Sequence, residues 1–392
     1  MSQLRSPFAR PRPMYMTCDT GFEKILAKEL EACGARNIEP GHRGVKFLGI
    51  EETMWRANLC SRVGNRVLIP VAEFPAPDKR ALYEGAKRVH WSEWFAHDQT
   101  FAVDASTHKS KLNHHGFCAL VLKDAVCDRF RFEGDPRPNV DRQRPDVRIN
   151  VHIEDDRATI SMDASGARLH RRGYRRSVGE APVKETLAAA LLLWTQWKGQ
   201  WPLIDPMCGA GTFLAEGAMI ATNFAPGLLR LGGENFGFMR WRQFDADKFE
   251  TAVGRVRKLT NDTVPTLRGF DHDAKMVRSA RENLSRLQTP CEFEIEHIPV
   301  ETLTTEQLNL PQGRKIMVTN PPYGQRMGND IDLLYGDIGD TLAETFKTDR
   351  KYVLLSEDAP LRRLRQRVKQ ERWVNNGPIR CRWAEIENRR KK

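Results

Sequence analysis

The sequence predicts an α/β protein with more than one unit, because strand-like and helix-like segments alternate along most of its 392 residues. Between residues 183 and 356, short apolar strands are separated by helical stretches, a pattern typical of a parallel sheet covered on both faces. The last two predicted strands, 369–374 and 379–386, flank the hairpin signal Asn-Asn-Gly-Pro at 375–378. The sheet is therefore expected to end in an antiparallel pair.

The amino-terminal half is predicted to hold two small α/β units behind a disordered tail, residues 1–14. In the first, residues 15–58, apolar side chains recur at helical spacing from Phe22 to Cys33. In the second, residues 59–163, the alternating strand 147–153 leads into a hairpin. The strands and helices of this second unit alternate on the scale of a compact α/β sandwich.

The carboxyl-terminal half, residues 179–392, follows a basic linker at 164–178 and carries the longest strand–helix alternation. The predicted strands are 202–205, 267–271, 292–298, 315–319 and 351–356, and the predicted helices are 183–197, one starting at 212, 274–287 and 331–346. This order predicts a doubly covered sheet whose ligand crevice lies at the carboxyl ends of the strands.

The net charge of +11 is concentrated in two clusters. Residues 361–392 contain twelve Lys and Arg against three Glu, a net charge of +9. A second cluster runs from Arg168 to Arg176. Such clusters favour a polyanionic partner, most simply nucleic acid, over a solvated charged surface. The candidate phosphate-binding residues are Arg171, Arg172, Arg175, Arg176, Arg362 and Arg363.

Several classes of protein are disfavoured. The sequence contains no run of about 18 apolar residues, the length needed to cross a membrane, and the amino terminus lacks the apolar core of a secretory signal. The eight cysteines are scattered without a CxxC pair, which is typical of reduced thiols in a cytoplasmic protein. The pair His114-His115 fits a polar loop better than a metal site, so no metal is expected.

A glycine-containing loop, Asp205–Leu214, follows the first strand of the carboxyl-terminal half. Gly209 and Gly211 would allow a ligand to approach the backbone closely. Asp271 ends the second strand, where its carboxylate could accept hydrogen bonds from both hydroxyls of a ribose. The two segments together predict a nucleoside-binding crevice.

The spacing of the glycines and of the acidic residue distinguishes between the candidate ligands of this crevice. The dinucleotide fingerprint requires a third glycine where Leu214 stands, and no Gly-Lys-Ser/Thr follows for a P-loop. A ligand with ribose and adenine but no pyrophosphate fits better, and S-adenosylmethionine is such a ligand. Its methyl group is already electrophilic, so the protein has only to position it. A glycine-rich turn with a solvated Asp remains the alternative.

The tetrapeptide Asn320-Pro321-Pro322-Tyr323 follows the fourth strand. The side-chain oxygen of Asn320 and the carbonyl of Pro321 could each accept one N–H of an exocyclic nucleobase amine. Held this way, the nitrogen becomes pyramidal and its lone pair can attack a methyl group. The prolines stiffen the loop, and Tyr323 offers a face on which a flipped base can stack. The alternative is an ordinary strand-to-helix loop.

The chain resembles the bacterial THUMP-domain RNA guanine-N2 methyltransferases, and among them the large-subunit ribosomal RNA type. The resemblance extends over nearly the whole chain and depends on the order of six motifs. These are Thr17–Glu23, Leu169–Arg175, Ala181–Ala188, Asp205–Leu214, Gly269–Asp273 and Asn320–Gly324.

The resemblance implies a ferredoxin-like piece at 15–58, a THUMP domain at 59–163 that captures RNA, and a class I (Rossmann-like) S-adenosylmethionine-dependent methyltransferase domain at 179–392. Such a domain has a seven-stranded sheet with one antiparallel strand. The implied reaction is methylation of guanine N2 in RNA. Family chains can carry a second methyltransferase at the carboxyl end, and that activity is expected to be absent here.

The resemblance also implies site residues. Asn320, Pro321, Pro322 and Tyr323 would be catalytic, and the donor would contact Asp205, Pro206, Cys208, Gly209, Ala210, Gly211, Thr212, Phe213, Asp271, His272, His297 and Asn320. The chain departs from the family at one position, where an Asp usually follows the third strand. Here Glu296-His297 stands there, and a neutral His297 could accept from the adenine amine instead.

Three other functions stay open at this stage. The motifs do not distinguish a ribosomal from a transfer RNA substrate. The Asn-Pro-Pro-Tyr loop also suits adenine N6 in DNA, although the amino-terminal half resembles an RNA-capture region. A non-catalytic RNA-binding assembly factor would explain the basic clusters but leaves the donor loop and Asp271 without a purpose.

Overall fold

The computed structural model describes Phe8 and residues 10–175, 183–233, 235–310, 313–322, 330–347 and 349–388, with the backbone alone at 330. Two compact units emerge. Unit 1 comprises the chain up to Cys18, Leu26–Leu169 and Arg230–Val256, and unit 2 comprises Asp19–Ile25, His170–Leu229 and the chain from Arg257.

Unit 1 is built on one seven-stranded sheet with the order β2-β3-β1-β4-β7-β6-β5. Its strands are β1 Arg12–Cys18, β2 Arg36–Gly41, β3 Gly44–Gly49, β4 Gly64–Pro75, β5 Phe101–His108, β6 Val147–Glu154 and β7 Arg157–Asp163. Only β5 and β6 pair in parallel. The two predicted amino-terminal units thus share a continuous sheet, because β4 pairs with both β1 and β7.

Local sequence explains the elements of unit 1. Its helices are α1 Glu23–Ala32, whose first residues group with unit 2, α2 Glu51–Cys60, α3 Lys79–Lys87 and α4 His115–Phe132. Asp78 caps α3 by accepting from the Ala81 amide at 2.8 Å, and His114 caps α4 by accepting from Phe117 at 3.0 Å. Buried and half-buried residues alternate along β6, as period-two patterning requires.

The segment Arg230–Val256 groups with unit 1, although our sequence boundaries place it in the carboxyl-terminal domain. Arg230 is buried and donates to the carbonyls of Ser165 at 3.1 Å and Ala167 at 3.2 Å. Phe238 is also buried and contacts four aromatic rings at centroid distances of 5.2–6.4 Å, those of Trp55, Phe236, Phe244 and Phe249. The helix α7, Ala246–Arg257, completes the segment.

Unit 2 contains the second seven-stranded sheet, with the order β10-β9-β8-β11-β12-β14-β13. Its strands are β8 Leu203–Asp205, β9 Leu267–Asp271, β10 Phe293–His297, β11 Ile316–Thr319, β12 Arg350–Ser356, β13 Gln366–Asn376 and β14 Ile379–Asn388. The first five in the sheet order are parallel, and β14 is antiparallel to β12 and β13. The predicted α/β class, seven-stranded sheet and antiparallel end are confirmed.

Helices cover the unit 2 sheet, and three of its central strands are wholly buried. They are α5 Glu185–Trp194, α6 Thr212–Ala221, α8 Ala274–Leu284 and α9 Asp330–Glu344. Every residue of β8, β9 and β11 is buried, as expected for parallel strands covered on both faces. One core joins the sheet to α9 and includes Ile204, Phe270, Met317, Tyr335 and Val353.

None of the helices in the described ranges is long and apolar enough for a membrane span. The same ranges contain no group of three or more His, Cys, Asp and Glu side chains arranged to hold a metal ion.

The aromatic cluster of unit 1 yields a stability prediction. Replacing Phe238 with Ala leaves a cavity among four rings and should lower the free energy of unfolding by about 3–5 kcal/mol. Chemical denaturation followed by tryptophan fluorescence measures this. Phe132→Ala, at a ring that is 74% exposed, is the control and should change stability by no more than about 0.5 kcal/mol. If Phe238→Ala lowered the free energy of unfolding no more than the control does, the segment 230–256 would contribute little to the stability of unit 1.

Candidate active site

The sheet order brings the three predicted site segments to one edge of unit 2. Strand β8 lies between β9 and β11, and the three run in the same direction. Asp205 ends β8, Asp271 ends β9, and Asn320 follows the end of β11. Because the carboxyl ends of neighbouring parallel strands meet, these side chains share one crevice at the usual ligand position of such sheets.

Backbone hydrogen bonds fix the loop after β8. The Cys208 amide donates to the Phe270 carbonyl at 2.8 Å, and the Gly209 amide donates to Asp271 Oδ2 at 2.8 Å. The two glycines serve different purposes. Apart from its chain neighbours, no described residue has an atom within 4 Å of the position of a Cβ at Gly209, whereas a Cβ at Gly211 would lie 3.3 Å from Leu284. Gly209 is therefore open toward the crevice, and Gly211 permits packing.

The Asp271 carboxylate is buried and held by two backbone donors. Its Oδ1 accepts from the Asp273 amide at 2.9 Å, and its Oδ2 accepts from Gly209. Each oxygen retains a second lone pair, so the carboxylate is oriented and can accept further hydrogen bonds. The ring of His272 is 74% exposed, with Nδ1 at 3.4 Å from Asp271 Oδ1.

His297 lies at the end of β10 and donates from Nε2 to the carbonyl of His272 at 2.8 Å. A carbonyl only accepts, so this bond assigns the proton to Nε2 in the neutral ring. Nδ1 is then an acceptor. The predicted acceptance of an adenine amine by His297 therefore fits the tautomer and remains a prediction.

Asp205 is the most deeply buried acid of the crevice. Burial, with a smaller contribution from the neighbouring charge of Asp271, raises the pKa of its carboxyl to about 7. The Met207 amide donates to Asp205 Oδ1 at 3.2 Å, which is insufficient to restore an ordinary pKa. Strongly raised acids in a crevice are typical of functional sites.

The remaining predicted donor residues lie mostly inside the unit. Pro206, Cys208 and Ala210 are buried, and burial raises the pKa of the Cys208 thiol well above its ordinary value. Asn283 donates to the Ala210 carbonyl at 3.1 Å, which holds the loop from behind. Phe213 stacks on Trp383 at 5.6 Å, so its ring is part of the core.

The loop after β11 carries an unsatisfied acceptor. Asn320 Oδ1 is buried, and no donor reaches it from the part of the chain that the structure describes. A buried acceptor without a donor is uncommon in native proteins, and this one can accept a hydrogen bond from a ligand. Pro321 is buried, and the carbonyl of Pro322 accepts from the fully buried Tyr335 hydroxyl at 3.3 Å. Tyr323 lies outside the described residues.

The structure corrects two of the predicted phosphate contacts. Arg172 is buried and paired with the buried Glu216, with Nε 3.3 Å from Oε1. Burial lowers the pKa of Arg172, but the charge and hydrogen bond of Glu216, together with the charges of Glu185 and Tyr174, outweigh it and the net shift is upward. The guanidinium therefore serves packing inside unit 2, not a phosphate.

Arg175 is the second correction. Its Nη2 donates to Thr212 Oγ1 at 2.6 Å and to the Val183 carbonyl at 3.0 Å, and its Nε lies 3.3 Å from Glu185. Thr212 is the first residue of α6 and ends the donor loop. Arg175 thus positions the loop against α5, a role that local sequence does not indicate.

The other predicted cations have mixed surroundings. Arg171 is exposed, whereas Arg176 lies outside the described residues. Arg363 pairs with Asp332 at 2.7 Å. Arg362 is exposed and forms no ion pair with any side chain that the structure describes, which leaves it the freest of the carboxyl-terminal candidates.

Sequence reasoning missed the residues that support the site from behind. Besides Arg175, these are Asn283, Tyr335 and Gly269. At Gly269 a Cβ would lie 2.7 Å from Leu214 and 3.0 Å from Cys208 Sγ, so a larger residue would push the donor loop outward. A glycine inside a strand pattern was the available signal, since it often marks a close approach.

Comparison with known proteins agrees with this geometry. A family model described as an RMKL-like methyltransferase domain matches residues 172–385. The chain belongs to the RMKL-like methyltransferase family. A THUMP domain matches residues 76–163, and an RlmL ferredoxin-like domain matches residues 13–68. The family predicted from the motifs is thereby confirmed.

Individual relatives show the extent of the similarity. The ribosomal RNA large subunit methyltransferase K/L of Syntrophotalea carbinolica is 38% identical over 385 residues, 95% of this chain and 53% of that protein. The protein slr0064 of Synechocystis sp. is 36% identical over 376 residues, 95% and 96% of the two chains. The crystal structure of SMU.472 complexed with SAH has a TM-score of 0.83 at 28% identity and covers 98% of this chain and 100% of that one. The chain spans about half the length of the K/L relatives.

The buried Asp205 predicts a pH dependence of stability in the ligand-free protein. The pKa of its carboxyl in the fold, about 7, exceeds the ordinary value of 3.8, so stability is full below the ordinary value and is lost as pH rises toward 7. Asp205→Asn removes this loss, which is on the order of 4 kcal/mol. Chemical denaturation at pH 4 and pH 8 should show that the free energy of unfolding of the variant, relative to that of the native protein, is higher at pH 8 than at pH 4. A pH-independent difference would contradict the buried-acid account.

The contact between Arg175 and Thr212 predicts a change in donor affinity. Arg175→Met removes a charged donor from the start of α6 and should weaken binding of S-adenosylmethionine about tenfold. Arg175→Lys should recover part of the loss. Calorimetry measures the affinity, and thermal unfolding shows that each variant is folded at the assay temperature. Arg362→Met is the matched control and should bind as the native protein does. Full affinity in Arg175→Met would refute the positioning role.

Proposed function

We propose that the chain transfers a methyl group from S-adenosylmethionine to the exocyclic N2 of a guanine in RNA, most simply large-subunit ribosomal RNA. One observation carries the proposal: Asn320 holds a buried, unsatisfied acceptor at the same sheet edge as the donor loop and Asp271. An amine offering two N–H groups is the ligand that such a loop can satisfy.

The donor fits the residues of the crevice. Asp271 has oriented lone pairs for the ribose hydroxyls, and the open face of Gly209 admits a ligand against the backbone. His297 offers Nδ1 to the adenine amine. When bound, the donor supplies an electrophilic methyl group. The complex of SMU.472 with SAH supports the choice of donor.

The acceptor loop would act by holding the amine. Asn320 Oδ1 accepts one N–H and the Pro321 carbonyl accepts the other, which localises the nitrogen lone pair for attack. The hydrogen bond from Tyr335 to Pro322 keeps the loop in place. The amine becomes cationic on methylation and releases its proton afterwards to solvent, so no strong base is needed before attack. Tyr323 remains the expected stacking partner.

The choice of RNA has two supports. A THUMP domain precedes the methyltransferase domain, and the K/L relatives are named as ribosomal RNA large subunit methyltransferases. A ribosomal RNA substrate would place the protein in the bacterial cytoplasm. Transfer RNA and DNA are the competing substrates.

Deletion of the gene tests the proposal most directly. Mass spectrometry of purified ribosomal and transfer RNA should show loss of N2-methylguanosine from large-subunit ribosomal RNA alone. Loss of N2-methylguanosine from transfer RNA alone would show that transfer RNA is the substrate. Unchanged N2-methylguanosine in both, with radiolabelled methyl entering DNA in vitro, would overturn the proposal.

Replacement of the acceptor predicts a separation of chemistry from donor binding. Asn320→Ala should lower kcat about 10²-fold or more, because one contact that strengthens during attack is lost. Affinity for S-adenosylmethionine should stay within about threefold by calorimetry. Asn375→Ala, at an exposed asparagine of the β13–β14 hairpin, is the control and should keep full activity. Full turnover of Asn320→Ala on the correct RNA would exclude this role.

A further inference from the structure

Unit 1 contains a pocket of about 320 Å³ that shares no residue with the candidate active site. Its wall is formed by Pro11 and by the segments 33–36 and 48–56, so it lies within the ferredoxin-like match at 13–68 apart from Pro11. The volume is at the lower end of the range for small-ligand sites, about 300–1,000 Å³. One nucleotide is a ligand of this scale.

Two guanidinium groups give the pocket its charge. Arg36 is exposed, and Arg56 is half-buried and donates from Nη2 to the Ala32 carbonyl at 2.8 Å, which fixes its position. Neither forms an ion pair with a carboxylate in the described part of the chain. Glu52 is the one acid in the described wall, and it pairs with Arg255 at 3.4 Å. The uncompensated charge is therefore positive and suits a phosphate.

The backbone at the rim is irregular where Arg36 enters. The register of β2 against β3 shifts between Arg36 and Glu39, and Asn37 adopts a φ of 47°. Such bulges redirect side chains and are enriched beside binding sites. Ile50 precedes α2 and does not cap it through a side chain.

The pocket also has an apolar side. The Ile50 side chain is 45% exposed, Pro11 is exposed and Leu48 is half-buried. A base or ribose could pack on this surface while its phosphate lies between the arginines. A simple inorganic anion would leave the apolar side uncovered, so an anionic nucleotide matches the pocket better.

We propose that this pocket binds one nucleotide of the RNA substrate, with its phosphate between Arg36 and Arg56 and its base or ribose against Ile50. That the nucleotide belongs to RNA rests on the proposed function. The nucleotide chemistry itself rests on the charges and the apolar wall.

The test uses the full chain and a fluorescently labelled single-stranded RNA in an anisotropy titration at several salt concentrations. Arg36→Glu should weaken binding about tenfold at low salt and reduce the slope of log affinity against log salt by about 1, as loss of one phosphate contact requires. Lys28→Glu, an equal charge change at an exposed position of α1 outside the pocket, is the matched control and should leave the slope unchanged.

A second variant tests the apolar contact. Ile50→Ser should lower RNA affinity a few-fold without changing the salt slope, because no charge is involved. Serine is also a better helix cap than isoleucine, so the variant should fold at least as well as the native chain. Thermal unfolding of both variants checks this.

The outcomes distinguish the two proposals. Native affinity and slope in Arg36→Glu would overturn the assignment of an RNA nucleotide to the pocket, whatever the methylation assay shows. If 5′-GMP binds the native chain and not Arg36→Glu while RNA binding is unaltered, the pocket holds a free nucleotide and the RNA assignment fails. If the native chain binds RNA through Arg36 but transfers no methyl group, the proposed function fails and the pocket stands.

Discussion

The carboxylate of Asp271 links two segments of the candidate donor site, the loop after β8 and the start of α8. One oxygen accepts from Gly209, in the loop after β8, and the other accepts from Asp273, at the start of α8. Two backbone donors orient the group before any ligand arrives, so its remaining lone pairs point in fixed directions. Together with the hydrogen bond from the Cys208 amide to the Phe270 carbonyl, this side chain holds the loop against the end of β9. The proposed donor contacts all depend on that arrangement.

The same arrangement lowers the stability of the fold. Asp205 and Asp271 end neighbouring strands, and burial with mutual repulsion raises the pKa of Asp205 to about 7. A hydrophobic residue at that position would make a more stable sheet. An acid retained there is typical of a site at which function opposes stability. The surrounding wholly buried strands supply the apolar burial that offsets the cost.

Local signals in the sequence predicted the sheet and the approach to the site. Strand β8, the open glycine at 209 and the hairpin at 375–378 all depend on neighbouring residues, and each formed where expected. The fate of Arg172 could not be predicted, because its partner Glu216 lies 44 positions away. The same holds for Arg230–Val256, whose hydrogen bonds to the rest of unit 1 join residues 63 to 150 positions apart. Burial of a polar residue is decided by distant partners that a single sequence does not reveal.

Charge counted along the sequence also differs from charge at the surface. The net +9 of residues 361–392 loses much of its effect because acids from other segments face it. Arg363 meets Asp332, Arg365 meets Asp340, and Arg380 meets Glu357. Attraction of a polyanion depends on cations without such neighbours, since paired charges present only a weak field. By that criterion an exposed arginine that forms no ion pair with a described side chain, such as Arg36 or Arg362, is a better guide to an RNA surface than the densest run of basic residues.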